Sequence, residues 1–307
     1  MELPVNLKEI YRHWSLHTIP PEKTLLPGDV FVKPELFEEV SWFINERMSV
    51  WKKKVSGSVS PYTDDPVLQK YRFCNIFREF DKQTIVFHTL LNPIRDDFPL
   101  WLLNMFYCRM VARPETIQRA GLLSFNSAEN EMVYKKLMDT PRSRFGTPYV
   151  FPVSVILKSK TPTRELFITS YLPSVMKEVA QEIADWQKES VYDGVEKILP
   201  IFSYNLHFLW TEVLIDVAYQ FPHYIDLFAQ FPVGPGSAPT MQRINPDEDP
   251  SVLVAKLSQI PFDTGVTYNN KPLRLSAENW EGIGCEFRKY TNLKSGNGRK
   301  RLFNTSQ

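Results

Sequence analysis

Apolar residues recur at spacings of three and four through about a dozen stretches of this chain, and its 24 prolines sit mostly between them. That spacing is the period of a helix with one buried face. Proline breaks a helix interior, so the helices must be short and numerous. The pattern predicts helices over 34–53, 65–91, 98–111, 114–120, 128–138, 172–187, 194–199, 204–220, 225–231, 250–260 and 276–290. Asp65 before Pro66 and Ser276 before Ala277 can accept the free amide donors of a first helical turn. Alternation and β-branching predict an extended piece over 147–157, and a second over 161–170 that would make a small hairpin. The expected class is mainly α with a small extended or β insertion.

With 307 residues, 43% apolar and 23% charged, the chain can bury a substantial core. A net charge of +1 excludes a global basic field, so a nucleic acid would have to meet a local patch. Cys74, Cys108 and Cys285 form no CxxC pair, which fits a reducing compartment without a disulfide framework. The histidines are read as carrying no metal pattern, and no metal or other cofactor is expected. The N-terminus has no basic region followed by an apolar run, so no signal peptide is read. The longest apolar stretch, 98–111, is interrupted by Asn104 and Arg109 and is too short to span a bilayer. A soluble cytoplasmic protein is expected, with no membrane association and no obligate protein partner. Composition divides the chain into an N-terminal helical elaboration over 1–65, a helical core over 66–290 and a basic tail over 291–307.

Four segments carry polar residues in chemically suggestive positions. In the first, Arg72 to Lys82, the residues Phe73, Ile76, Phe77 and Phe80 predict a buried helix face. Arg72, Asn75, Arg78 and Asp81 follow the same period on another face, as donors and acceptors suited to a planar or anionic group. The second, Leu199-Pro-Ile-Phe-Ser-Tyr-Asn205, opens a long helix running through Asp216. The third is Gly234-Pro-Gly236. The fourth runs from Glu278 through Cys285, Glu286, Phe287, Arg288, Lys289 and Tyr290. The tail adds Arg299, Lys300 and Arg301, which can reach phosphates. Each feature also has a plainer reading. Asp81 ends a helix and pairs with Arg78; Asp216 makes a buried contact between helices. Glu286 and Lys289 form a surface pair worth about 0.2–0.5 kcal/mol. Gly-Pro-Gly is a tight turn, Cys285 is a packed apolar side chain, and the tail is a solvated end.

In these four segments the chain resembles the α-glutamyl/putrescinyl-thymine pyrophosphorylase-like family, which shares a helical domain with phage 5-hydroxymethyluracil DNA kinases. The family's Asn-x-x-Arg-x-x-Asp pattern is matched by Asn75, Arg78 and Asp81, and its helix ending in Asp by Asp216. Its Gly-Pro-Gly is matched by Gly234 to Gly236, and its Glu…Cys-Glu-Phe-Asp-Lys-Tyr by Glu278, Cys285, Glu286, Phe287, Lys289 and Tyr290. The likeness covers roughly residues 70–300. Arg288 stands where the family often has Asp, and Ile201 and Ser203 replace hairpin glycines that would let backbone approach phosphate.

The resemblance implies a helix-hairpin-helix DNA-glycosylase-like fold and a modified base in double-stranded DNA as substrate. The family includes builders of hypermodified thymines and bacterial defence glycosylases that remove glucosylated hydroxymethylcytosine from phage DNA. Its implication for this chain is a monofunctional DNA glycosylase in anti-phage defence. A carboxylate, Asp216 or Asp81, would stabilise positive charge on the sugar after base flipping. Asn75, Arg78, Glu286, Lys289, Gly234 and Gly236 would hold the base, and Arg72, Arg299, Lys300 and Arg301 the phosphates. Asn205 stands where strand-cleaving relatives carry a nucleophilic lysine, so hydrolysis leaving an abasic site is expected. Two alternatives stay open: a pyrophosphorylase-like transferase acting on 5-hydroxymethyluracil in DNA, and a non-catalytic reader of modified DNA. The chain has no GxxxxGK[ST] stretch for the transferase's triphosphate.

Overall fold

The computed structural model describes residues 1–141, 144–146, 152, 155, 158–159 and 161–298. The protein is mainly α-helical, and its described strands are two residues each. The chain forms two compact units, one from residues 1–9, 13–81 and 227 onward, the other from 10–12 and 82–226. The chain passes between them at 9/10, 12/13, 81/82 and 226/227.

The first unit is organised around two long helices, Pro34–Val55 and Ala277–Lys294. Pro34 sits in the first turn of the former, where its missing amide costs nothing. Leu36, Val40, Phe43, Ile44, Met48 and Trp51 form its buried stripe. Ser276 caps the latter helix through a reciprocal pair of hydrogen bonds with Asn279. The two helices meet through Phe43, whose ring centroid lies 5.7 Å from that of Phe287 and 5.4 Å from that of Tyr290. Helices Ala238–Ile244 and Pro250–Leu257 pack against the C-terminal one. Gly284 permits that approach: a Cβ there would lie 2.5 Å from Met241 Cε and closer still to Ser237 Oγ. A two-residue antiparallel pair, Thr267–Tyr268 with Lys271–Pro272, turns through Asn269 and Asn270, both left-handed.

The predicted helix over 65–91 is broken in the structure. Asp65 caps only the short helix Pro66–Lys70, accepting from Val67 N and Leu68 N at 2.9 Å each. Residues 71–77 form no helix, Arg78–Phe80 makes one 3-10 turn, and helix Lys82–Leu91 begins in the second unit. Phe73, Ile76, Phe77 and Phe80 are buried all the same. Side chains from elsewhere take the backbone groups that a helix would pair internally. Arg47 donates to the carbonyls of Phe73 and Cys74, and Asp81 Oδ1 accepts from Asn75 N at 3.1 Å.

In the second unit, helix Phe98–Val111 is buried along nearly its whole length. Helices Lys82–Leu91, Pro114–Ala120, Leu172–Ala184 and His207–Gln220 surround it. Asn104 in its interior is satisfied by the backbone of Leu100 and Leu123. The second sequence segment is a helix–turn–helix: Val191–Phe202 ends at Ser203, which is left-handed at φ 66°, and His207–Gln220 departs at 118°. Asn205 sits in that turn. Two predicted elements differ. Residues 225–231 are not a helix; Ile225–Asp226 pairs in parallel with Glu189–Ser190. The predicted strand over 161–170 is helical, with Thr163 capping Arg164–Leu166 and a π turn at Phe167–Tyr171 leading into Leu172–Ala184. Most of the extended piece expected over 147–157 lies outside the described residues. Among the described residues, no single helix is long and apolar enough to cross a membrane.

Candidate functional site

The 71–81 loop is gripped from two sides within the first unit. Glu286 Oε2 accepts from Cys74 N at 3.0 Å and pairs with Lys289 Nζ at 3.2 Å. Lys289 Nζ in turn donates to Arg72 O at 2.5 Å and lies 4.5 Å from the centroid of the Phe73 ring. The two residues therefore clasp the loop backbone rather than forming an isolated surface pair. From the other side comes Arg47, 6% exposed, whose Nη2 donates to Cys74 O at 3.1 Å.

Asp81 closes the loop by accepting from both nitrogens of Asn75, at 3.1 Å from N and 2.8 Å from Nδ2. Burial pushes its carboxyl up to about 6, and Glu286 adds to the shift. The Asn75 donors and the Arg78 charge oppose it without cancelling it. The residue keeps partial exposure, so it can exchange a proton with solvent.

Gly234 to Gly236 lie against a neighbouring stripe of the C-terminal helix, that of Glu281, Cys285 and Arg288. Gly234 N donates to Glu281 Oε1 at 3.2 Å, and a Cβ on Gly236 would lie 2.7 Å from Cys285 Sγ. Arg288 Nη1 donates to Pro235 O at 2.7 Å. This arginine stands where the resemblance predicts an Asp, and makes a bond that an ionised Asp, having no donor, could not. Burial pushes the Cys285 thiol up to about 11, so it is not a thiolate near neutral pH.

Beside this cluster, in the same unit, lies a cleft of about 130 Å³, lined by Arg47, Lys54, Tyr62, Gln69, Tyr71 and Phe73 among others. At about 30 Å³ per water, that volume holds about four waters. Its charge is one-sided. Burial lowers the Arg47 guanidinium pKa from its ordinary value, with Glu286 and Asp81 opposing the shift. Burial also lowers Lys54, reinforced by the Arg47 and Arg72 charges. Arg47 Nε is buried with no hydrogen-bond partner among the described residues. An anion in the cleft would relieve both strains.

Three of the four sequence segments thus meet in one unit. Asn75, Arg78, Asp81, Arg72, Glu286, Lys289, Gly234 and Gly236 all belong to it. Asp216 belongs to the second unit and is fully buried. Its Oδ2 accepts from Arg109 Nε at 2.6 Å and its Oδ1 from Arg109 Nη2 at 2.6 Å. His88 Nε2 lies 3.0 Å from Oδ1, while His88 Nδ1 meets Gln220 Nε2 at 2.9 Å. Gln220 donates here, so His88 carries its proton on Nε2 and donates to Asp216. This is the buried interhelical contact weighed as the plainer reading. Arg299, Lys300 and Arg301 lie outside the described residues.

Sequence reasoning missed Arg47 and Lys54. A signal was present: Arg47 falls inside the stripe of Phe43, Ile44, Met48 and Trp51, where a solvated charge has no place. The reading that the histidines carry no metal pattern is corrected by His13-Trp-Ser-Leu-His17, which is an HxxxH pair.

The family model described as "5-hmdU DNA kinase, helical domain" matches residues 34–299, and the chain belongs to that family. The match takes in both long helices, the loop and the Gly-Pro-Gly turn. A particular relative is the 5-hmdU DNA kinase of Bacillus phage SP10, 31% identical over 169 residues, which are 51% of this chain and 26% of that protein. The matched region is thus about a quarter of the relative's length. No solved structure matches the chain.

Proposed function

We propose that this chain acts on 5-hydroxymethyluracil in DNA, seating the extruded base in the first-unit cleft for a transfer reaction at its 5-substituent. The family match over residues 34–299, with a relative named as a kinase of 5-hmdU DNA, carries this conclusion. A base inside a duplex must leave the stack before a protein can work on its substituent. Tyr62, Tyr71 and Phe73 line the cleft and offer ring faces; stacking is worth about 1–3 kcal/mol per base. Arg47 and Lys54 supply charge for a phosphate on or beside the base. Transfer of a phosphoryl group from a nucleoside triphosphate breaks the donor's terminal phosphoanhydride bond and releases the nucleoside diphosphate. It forms a P–O bond to the hydroxymethyl oxygen, whose proton must pass to a base active near neutral pH. Asp81, raised to about 6, has that basicity but does not line the cleft; its charge acts on Arg47 at the cleft wall, so proton transfer to it would have to pass through water.

Hydrolytic excision and a role in phage defence, both expected from the resemblance, gain nothing from these comparisons. The carboxylate first assigned to excision, Asp216, has no solvent exposure. The test uses duplexes carrying thymine, 5-hydroxymethyluracil, 5-hydroxymethylcytosine or its glucosylated form, with and without ATP and magnesium. Selective retention of the 5-hydroxymethyluracil duplex, with a triphosphate-dependent gain in its mass, is expected. Free base with abasic DNA, or equal retention of the thymine duplex, would overturn the proposal.

A further inference from the structure

The geometry points to a divalent transition-metal site, of the kind zinc occupies, formed by His13, His17 and Glu79 in the first unit. Nothing in the proposed DNA chemistry requires it, and it stands or falls separately. His13 and His17 come from one HxxxH stretch, and Glu79 from the 3-10 turn just before Asp81. All three side chains are at most 1% exposed, and one ligand atom from each lies within 4.8 Å of the others. His13 Nε2 is 2.7 Å from Glu79 Oε1, and His17 Nε2 is 3.9 Å from the same oxygen. Ligands bound tetrahedrally at about 2.0–2.1 Å stand about 3.3 Å apart. The two observed separations bracket that value, so small side-chain rotations suffice.

The state of His17 carries the inference further. Its Nδ1 lies 2.8 Å from the carbonyl oxygen of Arg274, which only accepts, so Nδ1 bears the proton. In the neutral ring Nε2 then presents a lone pair. That atom is buried, has no hydrogen-bond partner among the described residues, and faces a carboxylate oxygen. A lone pair aimed at a buried carboxylate is unfavourable unless a cation lies between them. The Nδ1–H to carbonyl bond is the outer contact that metal-bound histidines usually make. Two imidazoles and one carboxylate suit zinc and its neighbours rather than calcium or magnesium. Trp14, Phe77 and Phe228 rings pack around the histidines. An ion there would pin the 13–17 segment to the turn preceding Asp81.

The experiment strips the full-length chain with chelator, refills it with zinc, dialyses it and measures bound metal, alongside cobalt(II) titration by visible absorption. One retained zinc per chain is expected, with a cobalt spectrum of tetrahedral intensity and a higher Tm in the refilled protein. His17→Gln should lose the bound equivalent and the cobalt band, while the exposed control His207→Gln keeps both. Absence of retained metal in the wild-type chain would overturn the site without reference to any variant. Equal retention by His17→Gln would place the ion elsewhere and overturn it too.

Discussion

Replacing Asp216 with Asn separates a structural role from a catalytic one. The substitution keeps the shape and removes the charge that faces Arg109 at 2.6 Å through two bonds. Arg109 is 2% exposed and would be left as a buried guanidinium without its carboxylate. Breaking one side of such a pair costs about 3–5 kcal/mol. At about 2–4 °C per kcal/mol for a unit of this size, Tm should fall by roughly 6–20 °C. Thermal unfolding followed by circular dichroism reads this directly. The double variant Arg109→Met, Asp216→Leu removes both charges and should recover most of the loss, because the cost lies in the unpaired charge rather than in the pair's net worth. An Asp216→Asn protein that melts with the wild type yet loses activity on modified DNA would refute this account and return Asp216 to the chemistry.

Asp81 gives a pH signature. Its folded-state value of about 6 lies above the ordinary 3.8, so the folded chain holds that proton more tightly than the unfolded chain. The resulting stability is full below about 4 and is lost as pH rises through 6, on the order of 2–3 kcal/mol at one kcal-scale step per unit. In urea titrations Asp81→Asn should abolish that decline; an identical pH profile in the variant would contradict it. Gly284→Ala drives a methyl into Ser237 and Met241 and should cost about 1–3 kcal/mol in the same titrations. Lys54→Met should leave the fold intact, weaken retention of the 5-hydroxymethyluracil duplex and lower the salt slope of log K by about one; an unchanged slope would remove Lys54 from the phosphate contacts.

Helices were legible where local signals agreed. The helices Phe98–Val111 and Pro114–Ala120 were read with their observed limits because each starts with proline in its first turn and ends at an abrupt change of pattern. The 65–91 stretch deceived because burial at 73, 76, 77 and 80 has helical spacing whether the chain coils or folds through a turn. What decides is Arg47, more than twenty residues earlier in the sequence, holding the carbonyls of Phe73 and Cys74. Helix Ala238–Ile244 was missed because Gly234 to Gly236 and Pro239 read as turn chemistry, although the turn itself starts the helix. The resemblance predicts that residues around 75–81, 216, 234–236 and 286–289 line one cavity; those of 75–81, 234–236 and 286–289 lie in the first unit and Asp216 in the second. The cleft is not legible in the sequence, because apart from Phe73 its lining comes from 47–54 and 60–71, outside the four segments.

The first unit is assembled from pieces of chain on either side of the second. On the ribosome, at about 5–20 residues per second, the 82–226 unit emerges whole while the loop before it still waits for partners. Glu286 and Lys289 are synthesised about 200 residues after Asp81, so for roughly 10–40 s the Arg72–Asp81 segment is held by Arg47 alone. Translation that stops short of Ala277 would therefore leave the grip unfinished, with Phe73 lacking the Lys289 and Tyr290 contacts that help to cover it and open to quality-control machinery.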